Sequence, residues 1–313
     1  AVGVQGLTRS LDAIGEEAYV PATDISEVGV FTLQRLDRDG WGIEGGLRLD
    51  RREVESATVS REFTNVSASL GGFLRPAQGW FFGVSASRSA RGPTEAELFA
   101  NGAHAATRGY ELGDADLEAE VSYSLDATAH YGAGRWEADL HLFGVKYDGF
   151  IDLRPTGEID EYSELAIFAY RQTDATFWGG EADVSYRFWE EGENSLVLQG
   201  LADYVRGDTD LGAPARIPPW AVTGRAVATF GKTTFTLEAR RVGEQDRLAK
   251  FELPTDAYTM LNASVVYRPV EGVKLFVDAR NLNDAEAREH ASFLKDLAPL
   301  PGRSLRLGIG CTF

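Results

Sequence analysis

Histidines beside carboxylates are the side chains of this sequence best suited to bind a metal ion, because neutral imidazole is the commonest transition-metal ligand. His104 stands in the stretch RGPTEAELFANGAHAAT and is followed by Glu111 and Asp114, whereas His290 stands among carboxylates near the C-terminus. Imidazole combined with carboxylate oxygens suits zinc or another divalent ion. The sequence therefore predicts ligand binding by His104, His290, Glu111 and Asp114, with the two histidines as the metal ligands.

Catalytic motifs are missing from the sequence. It contains no phosphate-binding G-x-x-x-x-G-K-[ST], no G-x-S-x-G and no H-E-x-x-H. The single cysteine, Cys311, falls on the apolar side of an alternating pattern, which is a poor place for a thiolate nucleophile. One cysteine also allows no internal disulfide and no thiolate metal cluster. We therefore expect the protein not to be an enzyme and to hold no cofactor.

Charge and hydrophobicity exclude two further classes of protein. The chain of 313 residues has a formal net charge of −17 and is 43% hydrophobic. Binding nucleic acid requires clustered Lys and Arg that neutralise phosphates, so no nucleic-acid partner is expected and cationic ligands fit better. No apolar segment approaches the roughly 20 residues that a membrane helix requires. A helical membrane protein is therefore excluded.

Alternation of apolar and polar residues predicts β-strands along the whole chain. At the C-terminus Leu305, Leu307 and Ile309 alternate with Arg306 and other polar or small residues, as in a strand with one apolar face. The apolar set should point outward and Arg306 inward. About fourteen such strands are predicted, at 1–9, 27–37, 41–52, 61–75, 79–88, 117–131, 136–147, 174–188, 195–206, 220–230, 233–242, 256–268, 273–281 and 304–313.

Short turns and long connections alternate between these strands. The long connections are 10–26, 89–116, 148–173, 207–219, 243–255 and 282–302. Short turns at one rim and long loops at the other are typical of an antiparallel up-and-down transmembrane β-barrel, which is apolar outside and polar inside. A soluble all-β protein also alternates, but here Tyr and Trp cluster near the strand ends, as in membrane-interface girdles. The sequence therefore predicts an all-β transmembrane barrel.

The predicted topology places the four histidines at two levels. His104 and His290 lie in long loops at the same rim, whereas strand parity puts His130 and His141 on the polar, lumen-facing side of neighbouring strands. The acidic connection 148–173 would attract cations to the mouth of the barrel. Two interpretations of His104 stay open. It is either a metal ligand or a side chain whose hydrogen bonds hold its own loop in shape.

The stretch RGPTEAELFANGAHAAT, followed by YELGDADLEAEVS, resembles the C-terminal half of TonB-dependent outer-membrane receptors. YDGFIDLRPTGE, YRQTDATFWGGEADVSYRF and VDARNLNDAEAREHASFLKDLAPLPGRSLRLGIGCTF are similar to that family in its usual order, in a branch that includes zinc-uptake receptors. The resemblance implies a bacterial outer-membrane location and uptake of a scarce metal ion or metal complex, with zinc favoured and haem or a siderophore as other candidates. The alternative is a passive porin or surface-binding barrel without energy coupling.

Partners and domain organisation also follow from the resemblance. It implies contact with outer-membrane lipid, with the TonB energy-coupling complex through a region ahead of the chain, and with the barrel assembly machinery, for which Phe313 is the recognition signal. The family has a globular plug and a short TonB-contacting segment ahead of a barrel of about 22 strands, and nothing in 1–313 resembles those two parts. We therefore expect 1–313 to be a single, partial β-barrel domain. The segments 1–9 and 304–313 should then not pair with each other.

Overall fold

A computed structural model describes residues 1–15 and 18–312 of the chain. Over these residues the chain forms one sheet of sixteen strands and one short helix. No helix in these ranges is long and apolar enough to cross a membrane. The predicted assembly signal, Phe313, lies outside the described residues. The elements are β1 (Val2–Leu11), β2 (Thr23–Arg38), β3 (Trp41–Ser56), β4 (Ser60–Leu74), β5 (Trp80–Arg91), α1 (Glu95–Phe99), β6 (Asn101–His104), β7 (Gly109–Leu112), β8 (Glu120–Ala133), β9 (Trp136–Ile159), β10 (Ala166–Glu191), β11 (Asn194–Thr209), β12 (Ala221–Phe230), β13 (Thr233–Val242), β14 (Tyr258–Tyr267), β15 (Val273–Arg280) and β16 (Ser304–Cys311).

Fourteen of the strands follow one another across the sheet in chain order. Neighbours on this path pair antiparallel, and β5 is followed by β8 because α1, β6 and β7 lie in the connection between them. This order confirms the prediction of an all-β, up-and-down barrel wall of about fourteen strands. In the part of the chain that the structure describes, β1 pairs only with β2 and β16 only with β15. The sheet is therefore open between its first and last strands, as expected.

The two faces of the wall differ in polarity. On β16 the side chains of Leu305, Leu307 and Ile309 are 66%, 69% and 66% exposed. Arg306 points to the other face, where its guanidinium lies 5.3 Å from the ring centre of Phe276. A wall with apolar side chains outside and polar side chains inside separates lipid from a wet lumen.

Strands β9 and β10 are longer than the sequence pattern predicts. β9 runs to Ile159 and β10 begins with Ala166, so the predicted long connection 148–173 is wrong and only 160–165 connects the two strands. A register shift after Thr173 interrupts the alternation in this ladder. Because a strand is recognised in sequence by unbroken alternation, the shift hides the outer half of the hairpin. The predicted acidic loop is mostly paired strand.

Two clusters of buried apolar side chains lie where long loops pack onto the wall. On β3, Val54 has the opposite parity to the exposed Leu47 and Leu49, so the loops cover the inner face. The first cluster comprises Ile25, Val54, Phe63, Leu98, Leu117 and Ile151, and the second comprises Ala221, Val242, Tyr258 and Ala287. Long loops at one end therefore fold into the mouth of the barrel.

Candidate functional site

The loop between β5 and β8, residues 92–119, is called the mouth loop here and begins with a capped helix. The Thr94 hydroxyl accepts a hydrogen bond from the backbone N–H of Glu97, and the Glu97 carboxylate accepts one from the backbone N–H of Thr94. This reciprocal pair is a capping box, which satisfies two N–H groups at the start of a helix. Leu98, 2% exposed, packs into the first apolar cluster. The helix is therefore fixed to the inner wall.

Arg91, the last residue of β5, ties the mouth loop to the wall through two carboxylates. It donates to both oxygens of Glu97 at 2.8 and 3.0 Å and to both oxygens of Glu120 at 2.9 and 3.2 Å. Burial raises the pKa of Glu97, but hydrogen bonds from Arg91 and from the Thr94 backbone outweigh burial and hold that pKa below its ordinary value. Bidentate, charge-assisted hydrogen bonds of this kind are strong and directional. They set the direction in which the loop leaves β5.

The second half of the mouth loop crosses to the edge of β10 that faces away from β9. Strands β6 and β7 form a short antiparallel hairpin, in which His104 is paired with Gly109. Strand β7 then pairs in parallel with β10, with Glu111 opposite Phe168. Because β8 and β9 separate β5 from β10 in the sheet, the loop spans part of the mouth to reach this edge.

Glu111 is the centre of a group that we call the mouth cluster, formed by His104, Thr107, Glu111 and Tyr170. Glu111 is 1% exposed. One of its oxygens accepts hydrogen bonds from His104 Nδ1 at 2.9 Å and from the Thr107 hydroxyl at 2.7 Å. The other oxygen accepts from the Tyr170 hydroxyl at 3.0 Å. Burial and the neighbouring Glu111 carboxylate raise the pKa of Tyr170, which directly follows the three β10 residues paired with β7 and lies outside the membrane-spanning part of the strand.

His104 has one engaged and one open ring nitrogen. Nδ1 is held by Glu111, whereas Nε2 has no hydrogen-bond partner among residues 1–15 and 18–312. The side chain is 27% exposed, and its ring stacks on Tyr19 with the ring centres 4.1 Å apart. Metal-binding histidines are commonly oriented by a carboxylate on the second ring nitrogen. The same contacts also hold the loop together, so both interpretations of His104 have a physical basis.

Asp114 lies outside the mouth cluster. Its Oδ1 accepts a hydrogen bond from the backbone N–H of Asp116 at 3.0 Å, and its Oδ2 lies 3.7 Å from Arg171 Nη1. These contacts stabilise the turn that leads into β8, and none of them reaches His104.

His290 belongs to a second group, the rim cluster, formed by Glu252, Thr255, His290 and Lys295. His290 is 2% exposed. Its Nδ1 lies 2.9 Å from the Thr255 hydroxyl and its Nε2 lies 3.1 Å from Glu252 Oε1. Lys295 donates to the same Glu252 oxygen at 3.0 Å and lies 3.4 Å from each ring nitrogen. Both nitrogens of His290 are therefore engaged within the protein.

Glu252 joins three connections at the rim. Besides His290 and Lys295, it accepts hydrogen bonds from the backbone N–H groups of Arg216 at 2.9 Å and Ala249 at 3.0 Å. Burial raises the pKa of Glu252, but these hydrogen bonds outweigh burial and lower the pKa to about 2. The connections after β11, β13 and β15 thus converge on one ionised carboxylate.

A cavity of about 200 Å³ lies between the two clusters. Thr107 of the mouth cluster lines one side, and Glu252 and Lys295 of the rim cluster line another. The lining also includes Arg216, whose guanidinium lies 4.1 Å from the ring centre of Phe293. The loops of His104 and His290 therefore meet at one cavity, which combines charged groups with aromatic surface.

The structure brings only some of the sequence-predicted residues together. His104 and Glu111 share the mouth cluster, whereas His290 and Asp114 lie in other groups of contacts. Within the described ranges there is no group of three or more His, Cys, Asp or Glu side chains that could hold a metal ion. The role of His104 and His290 as metal ligands stays a prediction.

His130 and His141 lie on the wall, away from both clusters. His130 pairs with Asp139 across the β8–β9 ladder, with its Nδ1 2.7 Å from the carboxylate. His141 Nε2 lies 3.6 Å from Asp126. On β9, His141 and the His130 partner Asp139 have the opposite parity to Leu142, which is 50% exposed on the outer face. They therefore share the inner face with two carboxylates.

The sequence and fold of this chain are similar to those of known proteins. A family model described as "TonB dependent receptor-like, beta-barrel" matches residues 4–282. Among solved structures, the copper transporter OprC is 19% identical with a TM-score of 0.83, and the FrpB iron transporter from Neisseria meningitidis (F3-3 variant) is 15% identical with a TM-score of 0.76. The ferric-catecholate import receptor Fiu from K12 E. coli is 13% identical with a TM-score of 0.67.

The lengths of the matched structures differ from that of the chain. The alignments cover 93%, 100% and 93% of this chain and 48%, 52% and 45% of OprC, FrpB and Fiu. The chain thus spans about half the length of the solved structures that it matches.

Proposed function

The chain belongs to the TonB-dependent receptor β-barrel family, and on that premise we propose that it is part of a transporter that takes up a scarce metal ion or metal complex, with zinc favoured. Members of this family are outer-membrane β-barrels of Gram-negative bacteria, and this chain is an outer-membrane protein of that kind. Ligand capture is assigned to the long loops that fold into the mouth. A passive barrel without energy coupling is the competing function.

The observation that carries the proposal is the His104–Glu111 pair in the mouth loop. The buried Glu111 carboxylate accepts a hydrogen bond of 2.9 Å from Nδ1 of the partly exposed His104 imidazole. This contact orients the ring so that Nε2 is the nitrogen that would bind the metal. Further ligands would come from the incoming complex or from groups outside the mouth cluster. His290 stays a predicted ligand, and because both of its ring nitrogens are engaged in the rim cluster, metal binding there would require the contact with Thr255 or with Glu252 to break.

The cavity between the clusters supports capture of a small complex as well as of a bare ion. Arg216 over Phe293 offers a cation beside a flat apolar surface, which suits the organic part of an anionic chelate. OprC is named a copper transporter and FrpB an iron transporter. Copper and iron complexes are therefore the alternative ligands against which zinc uptake is compared. The formal charge of −17 favours the approach of cations.

Partners follow from the proposed transport cycle. We propose that the TonB complex supplies energy for release of the ligand, that outer-membrane lipid surrounds the wall, and that the barrel assembly machinery inserts it. Phe313 at the end of the chain is the proposed signal for insertion.

Energy-dependent uptake is the test of the proposed function. The full-length receptor that contains this chain is produced in a Gram-negative host that lacks its own zinc-uptake receptor, and accumulation of radioactive zinc is followed with and without an active TonB gene. We expect accumulation that requires TonB and that unlabelled zinc suppresses better than copper or iron complexes. Accumulation that is equal without TonB would establish the passive barrel instead.

Variants connect the transport result to the mouth loop. His104→Ala should abolish the TonB-dependent part of zinc accumulation, whereas His141→Ala, which changes a histidine on the inner wall, should retain it. Barrel folding is checked for each variant by heat-modified gel mobility. Equal loss in both variants would show that the effect does not arise from a ligand at position 104.

A further inference from the structure

A cation, a tyrosine and a second cation lie side by side on the outer face of the wall. Arg88 on β5 is the direct partner of Tyr123 on β8, and Tyr123 is the direct partner of Lys146 on β9. The Arg88 guanidinium lies 5.9 Å from the ring centre of Tyr123. Leu125 lies on the same face of β8 as Tyr123 and is 59% exposed. Leu142 lies on the same face of β9 as Lys146 and is 50% exposed. The three side chains therefore belong to the lipid-facing surface.

Their height puts them at the long-loop edge of the apolar band. At the short-turn end of the same strands Trp80 pairs with Tyr131, and their ring centres are 4.6 Å apart. Arg88 follows Trp80 by eight residues (88 − 80), which is about 26 Å along a strand. With a tilt of about 40°, this distance leaves roughly 20 Å of height, near the top of an apolar band about 25 Å tall. The three residues face the polar edge of the outer leaflet.

The two cations are not neutralised by the protein. Among the residues that the structure describes, neither Arg88 nor Lys146 forms an ion pair, and the one side-chain hydrogen bond of Arg88 goes to the backbone carbonyl of Val66. Asp148, two residues beyond Lys146 on the same face, forms no ion pair with it. By contrast, the outward Arg51 is paired with Glu62 at 2.6 Å. Arg88 and Lys146 therefore stand at this height as unpaired outward cations on either side of β8.

We propose that Arg88, Tyr123 and Lys146 form a binding site for a phosphate group of an outer-leaflet lipid. A guanidinium and an ammonium on either side of a tyrosine ring can donate hydrogen bonds to one phosphate, while the ring lies against the sugar or acyl region of the same lipid. Basic side chains near a membrane surface attract anionic headgroups. The site is on the outside of the barrel and is separate from the mouth and rim clusters, so it does not depend on the proposed transport function.

The test measures lipid binding to the protein purified from outer membranes and exchanged into nanodiscs. The probes are diphosphorylated lipid A and the same lipid after removal of both phosphates, and bound lipid is counted by native mass spectrometry. We expect the phosphorylated probe to bind more tightly. Arg88→Gln and Lys146→Gln should each weaken it about fivefold and the double variant about thirtyfold.

Controls separate this site from general charge effects. Arg51→Gln removes an outward cation that is already paired, and it should leave binding within about twofold of the unchanged protein. Lys146→Gln removes no hydrogen bond of the fold, so its result stands even if the Arg88 variants do not fold. Inorganic phosphate, added in excess, should not displace the lipid, because it has no sugar or acyl group to pack against the Tyr123 ring. Equal binding of the two probes, or unchanged binding in the Lys146 variant, would overturn the proposal.

Discussion

His104 donates a hydrogen bond from Nδ1 to Glu111 over 2.9 Å, and the carboxylate that receives it is buried while the imidazole is partly exposed. The pair can act in two ways. As a structural contact it holds the β6–β7 hairpin, and as a positioned base it presents Nε2 to a metal ion. The two roles respond differently to substitution, because only the second requires the imidazole to remain basic and open.

Glu111→Gln separates these roles by keeping the size of the side chain and removing its charge. An amide supplies only one acceptor oxygen for the three donors that now converge on Glu111, so His104 loses its orientation. We expect zinc affinity, measured by titration calorimetry, to fall by about tenfold to a hundredfold. His104→Ala should remove the remaining binding. A protein with Glu111→Gln that binds zinc as before would assign the pair to loop structure alone.

The rim cluster should make the stability of the loops that it joins depend on pH in the acidic range. The pKa of Glu252 is lowered to about 2 from an ordinary value of 4.5, so the stabilisation is complete above about pH 4.5 and is lost as the pH falls towards 2. We expect hydrogen exchange at 243–257 and 281–303, corrected for the intrinsic rate, to accelerate over that interval. Glu252→Gln should give fast exchange already at neutral pH, with little further change in acid. A wild-type profile that is flat across the interval would contradict this assignment.

Gly113 is predicted to tolerate no side chain. A Cβ there would lie 2.6 Å from the backbone carbon of Leu98 and 2.6 Å from the backbone nitrogen of Phe99. Because backbone atoms cannot move aside cheaply, Gly113→Ala should detach α1 from the wall and cost about 1–3 kcal/mol. Gly144→Ala is the matched control, since a Cβ there meets nothing within 4 Å. Protease sensitivity of the mouth loop is the measurement. Equal sensitivity of the two variants would show that the close approach of Gly113 to the α1 backbone is not needed to keep α1 on the wall.

The wall could be predicted from sequence because alternation is a local signal. Every second residue of a strand such as β16 faces lipid, so Leu305 and Arg306 reveal their faces without knowledge of any partner strand. The outer half of the β9–β10 hairpin was missed because the register shift after Thr173 breaks the alternation. Long-range pairing leaves no comparable mark in the sequence.

The candidate site illustrates the same limit. His104 and Glu111 are close in sequence and were predicted together, whereas Tyr170 reaches Glu111 only because β7 pairs with β10. Glu252 and Lys295 were missed for the same reason, since three separate connections must meet before Glu252 becomes buried. Acidic residues in a long loop otherwise predict only a solvated surface.

The orientation of the wall leads to a last prediction, made with two neighbouring residues on β9. Leu142 is 50% exposed on the outer face, and His141 lies on the inner face 3.6 Å from Asp126. Leu142→Arg places a charge in lipid and should cost about 2–4 kcal/mol near the middle of the apolar band. His141→Arg places the same charge in the wet lumen beside a carboxylate and should cost little.

Equilibrium unfolding of the protein in lipid vesicles measures both variants under the same conditions. The control is internal, because the two substitutions introduce the same side chain at adjacent positions and differ only in the face that receives it. A one-residue slip of β9 would exchange the two faces. If His141→Arg were the more destabilising change, the register of β9 against Ala127 and Thr128 of β8 would be wrong, and with it the placement of Lys146 on the outer surface.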